Sequence, residues 1–215
     1  MNNVSVKSAV NELSLLSPEM CRFSISDWRK LLGVVFTRKQ EALLGVLPEI
    51  LHAPCPFHPH RLVRDTHVGF IGVDRLTLQE FGRLNCPYPS RPDPWYFKEK
   101  FATKETMKFQ IYLLLREIVP GSESRTFDDQ RRMLPSGYDV PYAIAEAVKN
   151  YLLYRTLGVR VNPKRYARTA SLNSFRIRAA IGAHGVEGCA VTRFTDHYDS
   201  EVLGIAASRI LGQEP

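Results

Sequence analysis

Ser174-Phe-Arg-Ile-Arg-Ala-Ala-Ile-Gly-Ala-His-Gly-Val-Glu-Gly-Cys-Ala-Val-Thr-Arg-Phe194 is the stretch on which the fold class turns. Phe175, Ile177, Ala179 and Ile181 fall on one face of an extended chain, and Arg176 and Arg178 fall on the other. A period of two is the mark of a half-buried strand. Gly182, His184 and Gly185 supply a turn, and Val186 to Phe194 returns as a partner. Residues 174–194 are therefore expected to form a β-hairpin.

Upstream of this hairpin the period lengthens. Asp139 and Pro141 offer a cap and a first-turn proline for a helix running to about Leu157, with Gly158 as its stop. Its apolar stripe is Ala145, Val148, Tyr151 and Leu152, and Lys149 and Arg155 fall away from that stripe. After the turn at Asn162-Pro163, Tyr166 to Ala170 reads as a short strand. Thr103 can cap an earlier helix through Ile118, with Met107, Ile111, Leu114, Leu115 and Ile118 on one face, ended by Pro120 and Gly121. Residues 121–137 read as a polar surface loop. Ser200 to Leu211 fits a final helix or an edge strand equally well.

Residues 86–94, Cys-Pro-Tyr-Pro-Ser-Arg-Pro-Asp-Pro, hold four prolines in nine positions and must be extended or turning. Before them, His67 to Asp74 reads as a strand, and Thr77 with Glu80 has capping-box spacing for a helix over 78–84. The first fifty residues read as three short helices, lined by Val6, Val10, Leu13 and Leu16, then beginning near Ser26, then beginning at Thr37. The expected architecture is α+β: a helical N-terminal part over 1–85 with one strand, a Pro-rich connection over 86–94, and an α+β part over 95–215. In the last part, amphipathic helices pack on a small antiparallel sheet that includes the hairpin. A single continuous domain is equally compatible with this pattern.

At 215 residues, 44% hydrophobic and 24% charged, the composition is that of an ordinary folded domain and excludes collagen-like, disulfide-scaffold and wholly disordered classes. Every apolar run is broken well short of the roughly 18 residues a membrane helix needs. Met1 to Ser14 lacks the basic-then-apolar pattern of a secretory signal. Cys21, Cys55, Cys86 and Cys189 form no CxxC pair, so reduced, mostly buried thiols in the cytoplasm or a host-cell interior are expected.

The informative feature is charge. The chain carries +7 in all, yet eight cations fall between residues 149 and 178, and no acid occurs from Ala147 to Val186. Without those eight the remainder sits at −1. They are Lys149, Arg155, Arg160, Lys164, Arg165, Arg168, Arg176 and Arg178, with Tyr151, Tyr154, Tyr166 and Phe175 among them. Arginine forks fit phosphate oxygens and rings stack on bases. Arg160, Lys164, Arg165 and Arg168 are expected to contact phosphates, Arg176 and Arg178 to extend the patch, and Tyr166 to stack on a base. The expected function is non-catalytic docking of a polyanion, foremost nucleic acid, with an acidic protein face as another partner of the same charge; an oligomer is compatible with it.

Other constellations are weaker. Cys55, His58 and His60 carry zinc-ligand types at a spacing that matches no common module. Asp196, His197 and Asp199 could hold a divalent ion in a phosphodiesterase, the enzymatic alternative. A structural subunit of a viral or phage particle is the other alternative. Cys189 and His184 share the hairpin but lack a third group to orient them. No phosphate-binding loop, dinucleotide fingerprint, nucleophile elbow or zincin motif occurs, so no cofactor is expected.

Overall fold

The computed structural model describes residues 22–23, 37, 50–83, 94–185 and 188–211. The three expected N-terminal helices and the Pro-rich connection lie almost wholly outside the described residues. What is described is a mixed α+β arrangement of two four-stranded sheets with one long helix between them.

The first sheet has the order β1-β4-β5-β10, from β1 (Arg22–Phe23), β4 (His67–Ile71), β5 (Ile111–Leu115) and β10 (Ser208–Leu211). β1 runs parallel to β4, and the other pairs are antiparallel. β4 and β5 are central, and every residue in both is buried. β4 precedes the Pro-rich stretch and β5 follows it, so the two flanks are neighbours in one sheet. The second sheet has the order β8-β7-β6-β9, from β6 (Tyr166–Leu172), β7 (Arg178–Gly185), β8 (Gly188–Phe194) and β9 (Leu203–Ile205). Here β6 and β9 are parallel. β2 (Pro54–Cys55) and β3 (His58–Leu62) form a small separate hairpin, followed by a single helical turn, α1 (Val63–Thr66).

Several expectations correspond to observed elements. β7 and β8 pair antiparallel, with Ile181 opposite Val191. α2 (Leu78–Arg83) begins with the reciprocal capping box: the Glu80 amide donates to Thr77 Oγ1 at 3.1 Å, and the Thr77 amide donates to Glu80 Oε2 at 3.0 Å. The longest helix, α5 (Ala143–Leu157), ends at Gly158, whose φ of +66° is the left-handed cap that glycine adopts without strain.

Other expectations are corrected. The helix from Thr103 to Ile118 is not formed: α3 spans only Lys100–Thr103, and Ile111–Leu115 is β5. Five consecutive apolar residues satisfy a helical stripe and a doubly buried strand alike, and the pairing available on both sides decides for the strand. The loop over 121–137 contains α4 (Phe127–Arg132), capped by Thr126, whose hydroxyl accepts from the Asp129 amide. The single antiparallel sheet becomes two mixed sheets because the final stretch divides. β9 joins β6 while β10 joins β5, so the chain near Ala206 stitches one sheet to the other. Phe175, expected on the inner face, is 75% exposed in the turn between β6 and β7.

α5 explains how the two sheets share a core. Its sequence is apolar nearly all round, and it packs against β5 of one sheet and β6 and β7 of the other. Lys149 is on that buried surface and not turned away from it. Its Nζ lies 2.6 Å from Glu146 Oε1 and donates to the Leu115 carbonyl at 3.0 Å, tying α5 to β5. Both side chains are fully enclosed. Burial raises the Glu146 pKa, and the Lys149 ammonium opposes that rise. Among the described residues no helix is long and apolar enough to cross a membrane.

His67 begins β4 in the interior, between the Thr66 hydroxyl at 2.9 Å and the Tyr138 hydroxyl at 3.1 Å. Burial is the main cause that lowers its pKa to about 4. A histidine kept neutral inside the fold but free to charge at about 6.5 when unfolded stabilises the fold fully above pH 6.5. That contribution fades as pH falls towards 4, and the loss is about 3 kcal/mol. In urea denaturation, the stability gap between wild type and His67→Gln should shrink by about that amount from pH 7 to pH 4. A gap independent of pH would contradict the buried neutral imidazole.

Candidate anion-binding site

The fold does not gather the eight cations on one surface. Lys149 is inside, as described. Arg168 is also inside, with no exposed surface, although it was expected to meet phosphates. Its Nη1 donates to the Arg125 carbonyl at 3.1 Å and to Gln130 Oε1 at 2.9 Å. Its Nη2 donates to the Thr195 carbonyl at 2.9 Å and to the Tyr198 carbonyl. The guanidinium fork thus holds β6, α4 and the two loops at 125 and 195–198 together. Burial lowers its pKa to about 10, which leaves it charged at neutral pH.

Arg178 is likewise engaged. Its Nε lies 2.8 Å from Asp196 Oδ1, and its guanidinium carbon lies 3.4 Å from the centroid of the Phe127 ring. Arg176 is exposed but sits in the turn beyond β6, whereas Arg165 precedes that strand. Seven residues of β6 separate them, on the order of 20 Å. The expected continuous patch over 160–178 is therefore split. The physical reason is the strand itself, which encloses Arg168 and carries the chain to the far end of the sheet. Tyr166 is half-buried, packed edge-on against Phe194 at 5.6 Å, and Phe194 stacks in turn on Tyr198.

What remains together is a cleft of about 430 Å³ where α5 ends. Arg160, Lys164 and Arg165 line it from the loop after the helix, and Arg116 lines it from the end of β5. Leu153, Leu157, Val159, Val161 and Pro163 give it an apolar wall. Of these, Leu157 and Val159 are more than 40% exposed. Among the described residues, Glu117 is the one acid on the lining. Glu123 lies outside it, 3.0 Å from Arg165, so the local surplus is two positive charges. The carbonyl end of α5 adds a partial negative charge of about one half, which offsets that surplus without reversing it.

Local structure holds these side chains in place. The Gly158 cap turns the chain sharply, with its amide donating to the Tyr154 carbonyl at 2.9 Å. Asn162 at φ +49° turns it again and accepts from the Arg165 amide at 3.2 Å. Arg165 is then clamped to the sheet: its carbonyl accepts from the Ala183 amide at 2.8 Å, and a Cβ at Gly182 would stand 2.0 Å from the same oxygen. Only glycine permits that approach. The Arg160 guanidinium lies 5.7 Å from the Tyr154 ring, which packs 5.1 Å from His184. Burial, then the charge of Arg160, lowers the His184 pKa. Arg116 was not foreseen, since it meets the others only where the end of β5 packs beside the end of α5.

The weaker constellations are also placed. Cys55 is buried in β2, while His58 is half-buried and His60 exposed on β3. Asp196, His197 and Asp199 occupy the loop after β8, with Asp196 committed to Arg178. Among the described residues no three His, Cys, Asp or Glu side chains are arranged to share a metal ion. Cys189 is buried and directs its thiol to the Gly182 carbonyl at 3.3 Å.

Comparison of the chain with protein-family models, with curated proteins and with solved structures found no match.

If Arg168 is structural, Arg168→Lys should destabilise the protein by about 2 kcal/mol or more, because one ammonium cannot reach four acceptors on two sides. Arg176→Ala, on the surface, should change stability by less than about 0.5 kcal/mol. Chemical denaturation of the two variants measures both. Equal, small effects would show that the Arg168 cage contributes nothing.

Proposed function

We propose that this protein docks a polyanion, nucleic acid in the first instance, and acts by binding rather than by catalysis. The observation that carries this reading is the cleft at the end of α5, where four cations from two distant parts of the chain meet with a single acid on the lining. Arg160, Lys164, Arg165 and Arg116 are the contact residues in this reading. Arg168 and Arg178 serve it indirectly, by holding the sheet that presents Arg165.

Three of the four cations are arginines, whose planar forks match phosphate oxygens two at a time. A nucleic acid supplies such oxygens at regular spacing along with flat apolar bases, and the cleft is lined by both cations and apolar residues.

Fluorescence anisotropy with a labelled single-stranded oligonucleotide, over a range of salt concentrations, tests the reading. Each phosphate contact contributes about 0.7 to the slope of log affinity against log salt for a single strand. Lys164→Ala should therefore lower the slope by about 0.7 and weaken all sequences alike. Arg176→Ala should leave the slope unchanged. Binding that is absent, or insensitive to salt, would overturn the proposal; so would an equal response in the two variants.

A further inference from the structure

Resting on the docking reading above, we infer that the cleft receives the end of a strand, its terminal phosphomonoester and the adjoining nucleoside, and not an internal stretch of polymer. Three features of the surface converge on this.

The first is size and polarity. At about 430 Å³ the cleft belongs with the concave sites of roughly 300–1,000 Å³ that enclose one small ligand, whereas a polymer track is a long open groove. Its lining combines four cations with five apolar residues. A ligand that fills it has one strongly anionic end and one apolar or flat body, which is the make-up of a single phosphorylated nucleoside.

The second is closure. A polymer bound through its middle leaves a site at both sides and needs positive surface in both directions. Beyond the Arg116–Glu117 edge lies a smaller hollow of about 120 Å³, lined by His58, Arg61, Asp65 and the same Arg116 and Glu117. The two carboxylates there match the two arginines, so the hollow has no surplus to hold a further phosphate. Along β6, Arg168 is enclosed and Arg178 is paired with Asp196, while Arg176 stands at the far end of the strand. Among the described residues, neither of these two directions extends the positive surface of the cleft.

The third is charge. A terminal phosphomonoester carries between one and a half and two negative charges, against one for an internal diester. Its three free oxygens also accept more donors. The cleft's surplus of two positive charges matches the terminal group better than the internal one.

The test uses the unaltered protein and varies the ligand. Affinities are measured for one single-stranded oligonucleotide with a 5′-phosphate, with a 3′-phosphate and with neither, and adenosine monophosphate and inorganic phosphate are used as competitors. One phosphorylated form should bind about tenfold more tightly than the unphosphorylated strand. Adenosine monophosphate should displace the strand at lower concentration than inorganic phosphate does, because only the nucleoside reaches the apolar wall. If all three oligonucleotides bind equally and adenosine monophosphate does not compete, the end-binding inference is overturned while the docking reading stands. Failure of every oligonucleotide to bind would overturn both. Displacement of the strand by vesicles bearing a phosphomonoester lipid, with no effect of adenosine monophosphate, would assign the cleft to a membrane surface and overturn the inference.

Discussion

The Arg168 guanidinium, held without solvent contact by the carbonyls of Arg125, Thr195 and Tyr198 and the amide of Gln130, is the interaction on which the second sheet depends. Gln130 extends the knot, donating to the Ser122 carbonyl at 2.8 Å and to the Leu203 carbonyl at 3.0 Å. The Ser122 hydroxyl then accepts from the Ile205 amide at 3.1 Å. In this way β6, β9, α4 and two loops are joined through buried polar groups. Transferring an arginine from water is costly, and only near-complete hydrogen bonding makes it tolerable. The same arrangement makes the knot unforgiving, because loss of the fork would strand several buried acceptors at once.

Glu146 and Lys149 play a parallel part for the first sheet. Between them, the two buried polar groups use up cations that a linear reading assigns to the surface. They also fix the ends of β5 and β6, the strands from which Arg116 and Arg165 emerge. The cleft is thus a consequence of how the interior is wired: α5 delivers Leu153 and Leu157, the loop after its glycine cap delivers Val159, Arg160, Lys164 and Arg165, and the end of β5 delivers Arg116. The electrostatic character of the protein is narrower than its net charge of +7 suggests. Among the described residues, four cations meet in a site of small-ligand size, with Glu117 on its lining and Glu123 paired to Arg165.

Much of the described fold was legible where a local rule has a single solution. The Thr77–Glu80 capping box and the glycine stop at Gly158 each specify one conformation, and each is present; the strand expected around Ala179 and Ile181 also forms, but Ala180 and Gly182 are buried with them, so the strand is covered on both faces there. Legibility failed where tertiary pairing decides. Ile111 to Leu115 fits a helix and a buried strand equally, and only β4 and β10 on either side make it a strand. Phe175 continues the alternation of its neighbours but falls in the turn, where Arg176 has φ +60°. For the site, Arg160, Lys164 and Arg165 were legible as a local cluster. Arg168 and Lys149 were misplaced because charged side chains are so seldom fully buried that exposure is the natural expectation. Arg116 carries no local signal at all, since its proximity to the cluster exists only in the folded chain.

The most direct test of the account is a titration of isotope-labelled protein with a phosphorylated nucleoside, followed by backbone amide chemical shifts. The account predicts that the largest changes fall on residues 157–165 and on Arg116 and Glu117, with little change at 174–178. Changes centred on the turn around Arg176, on the 196–199 loop, or spread evenly over the surface would contradict it.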